Sequence, residues 1–172
     1  IGGRLPNSLT GPEYDRTLPI RRSTEEEMAT IKSAVLAADE AEALAYRSLD
    51  SSHLNEFYMD ESLRVHEQFV RNLANRGVAQ VAELVEQQWG TITISEDGSN
   101  AKVETTEVWA SCDVDIEEET TGAVIRSYVP QTIFLHKVEG VWKVSVIEFH
   151  DTKSEEIASQ TPVPEVLEDY LT

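Results

Sequence analysis

The stretch IFLHKVEGVWKVSVIEF, residues 133–149, constrains the fold of this chain more than any other. Two runs rich in β-branched and aromatic residues, Val124–Val138 and Val141–Phe149, are separated only by Glu139-Gly140. Glycine accepts the positive φ of a two-residue hairpin turn, so the pattern predicts a tight antiparallel hairpin. Asp97-Gly98 joins Trp89–Ser95 to Ala101–Ile116 by the same chemistry, and Thr121-Gly122 marks a third turn. The second half of the chain is thus read as a four-strand antiparallel meander.

The first half reads as helices. Ser23-Thr24-Glu25-Glu26-Glu27 offers capping boxes at Ser23…Glu26 and Thr24…Glu27, with three glutamates at the positive end of the dipole. Met28, Ile31, Val35, Ala38, Ala41, Ala45 and Leu49 follow at helical spacing, so a helix is expected from Thr24 to Leu49. Asp50-Ser51-Ser52 interrupts it, and Leu54, Phe57 and Tyr58 form the apolar side of a short turn. Asp60-Glu61-Ser62 opens a second helix carrying Leu63, Val65, Phe69, Val70 and Leu73, closed at Gly77. His66 is expected on its exposed side. Residues 1–22 read as an extended arm or linker, 23–150 as one α+β domain, and 151–172 as a tail. In that tail Val166, Leu167, Tyr170 and Leu171 suit a short docking helix.

Two breaks in strand alternation stand out. In Ala101–Ile116 the apolar set changes parity between Val103 and Val108, which a bulge explains. In Val141–Phe149, Trp142, Val144 and Val146 oppose Val141, Ile147 and Phe149, which points to a second apolar face. That face is expected to be covered by a protein partner, a second copy or the tail. Gly90 and Pro130 add bends, so the sheet is expected to curve around the helices as a cone.

Composition excludes several functions. The 172 residues suit a single domain, and the formal charge of −18 repels phosphate backbones and anionic lipid heads. Nucleic acid is not an expected partner. No run approaches the length of a membrane span, so no direct insertion is expected of this segment. The chain begins at Ile1 rather than Met, which is read as excision from a longer, exported or organellar protein with its anchor upstream. Cys112 is the single cysteine, so no internal disulfide forms and no multi-cysteine zinc site is present.

One long helix, the turn LDSSHLNEFY, a second helix ending at Gly77 and a meander closing in VEGVWKVSVIEF resemble the cystatin-like α+β group. Within it the likeness is to nuclear-transport-factor-2-like domains. WGTITISEDGSNAKVETTEVW and YVPQTIFLHKVEGVWKVSVIEF are most similar to the intermembrane-space domain of plastid-division and cyanobacterial division proteins, and to related bacterial extracytoplasmic modules. The resemblance covers roughly residues 25 to 150 and implies a fold that hosts enzymes, binders and scaffolds alike. It carries over no catalytic residue.

Chemical motifs are sparse. Counted from Asp113, a calcium loop requires Gly at its sixth place and Glu at its twelfth, where Glu118 and Val124 stand. His53, His66, His136 and His150 form no metal motif, and phosphate loops and nucleophile elbows are absent. No metal and no cofactor are expected. What remains is the cone, which the resemblance implies is lined by Tyr46, Tyr58, Trp89, Trp109, Tyr128 and His136. The expected function is a non-catalytic module binding a protein or a small apolar ligand. The alternatives are an isomerase or hydratase in the cone, with Glu107 and His136 as its acid–base pair, and a structural dimerisation module.

Overall fold

The computed structural model describes residues 19–157. Seven strands and two helices follow in the order β1 (Ile20–Arg21), α1 (Glu25–Ser48), α2 (Asp60–Asn75), β2 (Val78–Ser95), β3 (Asn100–Asp115), β4 (Thr120–Thr121), β5 (Ile125–Val138), β6 (Val141–Phe149) and β7 (Lys153–Glu156). A one-turn 3-10 segment, Leu54–Glu56, links the helices. All strands join one antiparallel sheet with the path β1-β2-β3-β5-β6, in which β4 adds to β3 and β7 to β5. The four long strands are the expected meander. The expected tail docking helix lies outside the described residues. So does all of the arm but residues 19–22, of which Ile20–Arg21 pairs with Ile94–Ser95.

The helix signals translate directly. Thr24 caps α1 through a complete capping box with Glu27, and Leu49 ends the helix in the left-handed region. Ile31, Val35, Ala38 and Ala45 bury their side chains against the sheet. A fully buried Val or Ile of this kind contributes about 1.5–3 kcal/mol. They meet Leu73 and Val70 of α2 and Ile94, Ala101, Val103, Ile133, Leu135, Trp142 and Val144 of the sheet in one core.

Three strand-level expectations need correction. β2 starts at Val78, not Trp89, because the residue after Gly77 passes straight into the ladder with Asp115. The third turn carries its positive φ at Glu119 rather than at Gly122. The break in β3 is not a bulge. β3 runs in unbroken register against β5 from Asn100↔His136 to Ser111↔Ile125. Val108, Ala110, Cys112 and Val114 are buried on the outer face instead, where Cys112 and Val114 pack with Val81 and Val124.

The bulges sit elsewhere. β2 slips against β3 between Leu84 and Glu86 and again between Trp89 and Ile92. At the second, a Cβ on Gly90 would stand 2.9 Å from the Glu104 carbonyl oxygen, so only glycine admits the approach. β6 slips between Val144 and Val146, inserting Ser145 as an extra residue opposite Phe134 and Leu135, with its hydroxyl donating to the Phe134 carbonyl at 3.1 Å. This bulge explains the mixed parity of β6. Trp142 and Val144 before it, and Ile147 and Phe149 after it, all face the helices. The supposed second apolar face of β6 is therefore largely one face read through a bulge. These slips curl the sheet around α1 and α2.

Candidate acidic cone

The curled sheet and α1 enclose a cavity of about 260 Å³. Its floor and walls are built from α1 and the inner faces of β2, β3, β5 and β6. Asp39, Glu42 and Tyr46 follow Val35 at spacings of four, three and four, which puts all three on the sheet-facing stripe of α1. From β3 come Glu107, Trp109 and Ser111, alternate residues on one face. Ile147 and Phe149 of β6 and Val129 of β5 supply apolar surface.

Burial sets the electrostatics. Asp39 is only 7% exposed and Glu107 only 3%. Among the described residues Asp39 Oδ2 and Glu107 Oε1 have no hydrogen-bond partner, whereas Glu107 Oε2 accepts the Trp109 indole N–H at 2.9 Å. Desolvation pushes Glu107 up to about 7, with the Trp109 donor and the nearby Gln87 and Gln131 amides pulling against it and the charge of Glu42 adding to the rise. Asp39 is raised well above the usual carboxylate range by desolvation, then by the charges of Glu107 and Glu42. Like charges in a dry site disfavour each other's ionisation.

A second polar chain backs the cone. The Tyr46 hydroxyl and His66 Nδ1 lie 2.5 Å apart. With the hydroxyl donating, His66 carries its proton on Nε2, which stands 3.9 Å from Glu42 Oε2. Tyr58 donates to the Ala38 carbonyl at 3.0 Å and to Glu42 Oε2 at 3.2 Å. Burial is the main reason both tyrosines are harder to ionise than usual.

His66 is thus buried, not exposed as expected. The stripe Ser62, His66, Val70, Leu73 faces inward along α2, and Tyr46 and Tyr58 give the ring polar and aromatic company.

The six residues singled out from the sequence divide. Tyr46 and Trp109 line the cavity, and Tyr58 lies beneath it, bonded to Glu42. Trp89 packs on the main core with the Lys32 ammonium 5.4 Å from its ring centroid. Tyr128 pairs with Val108 on the outer face and is 38% exposed. His136 bonds Asn100 through Nδ1 at 2.8 Å, also on the outer face. Asn100 precedes Glu107 by seven residues of unbroken strand, about 23 Å. Glu107 and His136 are therefore not brought together. Asp39, Glu42 and His66 were missed, although their place on the helical stripes was a readable signal.

Larger hollows lie outside the cone. One of about 430 Å³ borders Trp89 and Gly90, and one of about 510 Å³ runs between α1 and Phe57. Among the described residues, neither is lined by a buried side-chain oxygen or nitrogen left without a partner. That distinction belongs to the cone.

Solved structures share this arrangement of helices on a curled sheet. The intermembrane-space region of the chloroplast protein ARC6 aligns with a TM-score of 0.65 at 18% identity, over 75% of this chain and 98% of that one. The shared architecture is an α+β fold, two helices packed on a curled antiparallel sheet. A type 2 hexachlorocyclohexane dehydrochlorinase aligns with a TM-score of 0.52 at 10% identity, over 83% of this chain and 99% of its own. The type 3 enzyme of Novosphingobium barchaimii gives the same score and identity over 82% and 99%. No family model matches the chain, and no curated protein matches it. Identities this low establish the fold alone. Among the described residues no helix is long and apolar enough to cross a membrane.

Proposed function

We propose that this domain is a binding module whose ligand enters the cone. The observation that carries the reading is the pair of buried carboxylate oxygens, Asp39 Oδ2 and Glu107 Oε1, left unpaired beside an open cavity. A buried acceptor without a partner costs roughly 1–3 kcal/mol, and a ligand that donates to it recovers that cost. Ile147, Phe149 and Val129 give the ligand apolar contact. The ARC6 region shows that the fold occurs as part of a larger organellar protein, which suits a role in attaching one molecule to another. The test is a fragment screen on the wild type and on Ala82→Phe, which plugs the cone from β2. Hits that disappear with the plug support the reading, and hits that ignore it remove its basis.

A second reading has an observation of its own. Glu107 sits near the neutral range that a general base requires, in a site partly shielded from water. An isomerase, hydratase or eliminase acting there would use Glu107 as its base, and dehydrochlorinases share the fold. An isomerase would place solvent deuterium in a ketone substrate, an eliminase would release halide from a halocarbon as the carbon–carbon double bond forms, and Glu107→Gln would abolish either signal. Binding with neither deuterium exchange nor halide release across a panel of ketones and halocarbons favours the first reading.

A further inference from the structure

We propose that the cone receives an ammonium group on a short apolar stem, held between Asp39 and Glu107. The inference rests on the reading of the cone as a binding site and specifies its ligand. Among the described residues the lining holds Asp39, Glu42 and Glu107 and neither Lys nor Arg, so its carboxyls have no cationic partner within the cavity. Asp39 and Glu107 are each more than nine-tenths buried, and each has one oxygen without a hydrogen-bond partner. An acceptor in that state takes either a proton or a donated hydrogen bond.

Chemistry selects the donor. An ammonium offers three N–H groups and a positive charge at one compact centre, enough for both unpaired oxygens and for Glu42 beside them. The Tyr46 and Trp109 rings in the lining present the aromatic surface that favours an organic cation. Ile147, Phe149 and Val129 match an alkyl stem. A bare metal fits less well, since among the described residues no group of His, Cys, Asp and Glu is placed to hold one. An anion finds no Lys or Arg among the described lining residues to receive it.

In the empty site Asp39 and Glu107 tend to hold protons, because burial favours the neutral acids. Ammonium binding must expel them, which links affinity to pH. The titratable groups facing the ligand are Asp39, Glu42 and Tyr46 from α1 and Glu107 from β3, with Tyr58 and, on α2, His66 behind them. The β2, β5 and β6 walls contribute Gln80, Gln131 and other groups that do not titrate. Affinity therefore rises with pH across the range in which the buried acids release their protons.

The same ammonium comes from two sources, a lysine side chain of a partner protein or a free alkylamine. The experiment follows the Trp109 indole N–H by NMR in the full chain, since that proton is bonded to Glu107. The probes are n-butylammonium, n-butanol, butyrate and N-acetyl-lysine methylamide. The expected result is that butylammonium moves the signal while butyrate does not. Its affinity is expected to tighten about tenfold between about pH 5.5 and about pH 8, and to weaken about tenfold in Glu107→Gln. Tighter binding of the lysine derivative than of butylammonium assigns a partner lysine, and the reverse assigns a free amine. Butanol binding as tightly as butylammonium overturns the ammonium proposal while leaving the cone a binding site. That comparison uses only the wild type, so a misfolded variant does not affect it. If no probe moves Trp109 at any pH, the ammonium proposal is wrong. The fragment screen against the plugged cone then decides the broader reading separately.

Discussion

The Trp109 indole N–H and Glu107 Oε2 are bonded at 2.9 Å, two residues apart on one strand and pointing into one cavity. The bond satisfies one oxygen of a carboxyl whose other oxygen has no partner. Desolvation outweighs that bond, so Glu107 stays protonated up to about pH 7 in the folded chain, against an ordinary value of 4.5. A carboxyl raised on folding binds its proton more tightly in the native state, so stability falls as pH rises between those two values. The loss from this one group is of the order of 3 kcal/mol. Glu107→Gln is expected to be more stable than wild type at about pH 8 and to lose that advantage near pH 4. Urea unfolding at both pH values checks it, and an equal gain at both would mean that Glu107 is not held protonated.

Tyr46→Phe keeps the ring that packs on Phe69, with centroids 4.6 Å apart, but removes the hydroxyl next to His66 Nδ1. A buried ring nitrogen then lacks its partner. The expected cost is about 1–3 kcal/mol in chemical denaturation. Tyr128→Phe, at an exposed outer position, serves as the control and is expected to be within about 0.5 kcal/mol of wild type.

Gly140 closes the β5–β6 hairpin at φ +85°, following Glu139 at φ +48°. A Cβ there meets no neighbour, so the cost of substitution is conformational rather than a clash. Gly140→Val is expected to destabilise the fold by about 1–3 kcal/mol, measured from the urea midpoint at constant slope.

Chelation is expected to leave the melting temperature where it was. The described residues hold no cluster of metal-ligating side chains, and the Asp113–Glu119 run is spread over a strand end and a turn. A drop of several degrees with EDTA, restored by calcium, would contradict this.

The fold was legible in the sequence wherever one local rule acted alone. Thr24, Gly77, Gly98 and Gly140 terminate or connect elements as their chemistry dictates, because caps and turns depend on a few neighbouring residues. The two breaks in strand alternation were read the wrong way round. In β3 the change of parity reflects a real second apolar surface, since Val81 and Val124 pack against Cys112 and Val114 from other strands or loops. In β6 the change reflects Ser145, whose extra residue reverses the alternation. One strand's pattern cannot distinguish these, because a bulge and a two-sided strand both shift apolar residues by one. The cone was half legible for a related reason. Tyr46 and Trp109 attract notice as aromatics, whereas Asp39 and Glu42 look like ordinary solvated helix positions until the sheet closes over them.

The bulge at Ser145 also divides β6 into two territories. Trp142 and Val144 before it belong to the main core, whereas after it Ile147 touches both that core and the cavity and Phe149 borders the cavity. Substitutions before Ser145 therefore change how firmly the sheet holds α1 and α2. Those after it change the shape of the cavity rim. A lineage carrying this bulge is free to alter its ligand through the last residues of one strand without renegotiating the packing that the first residues secure.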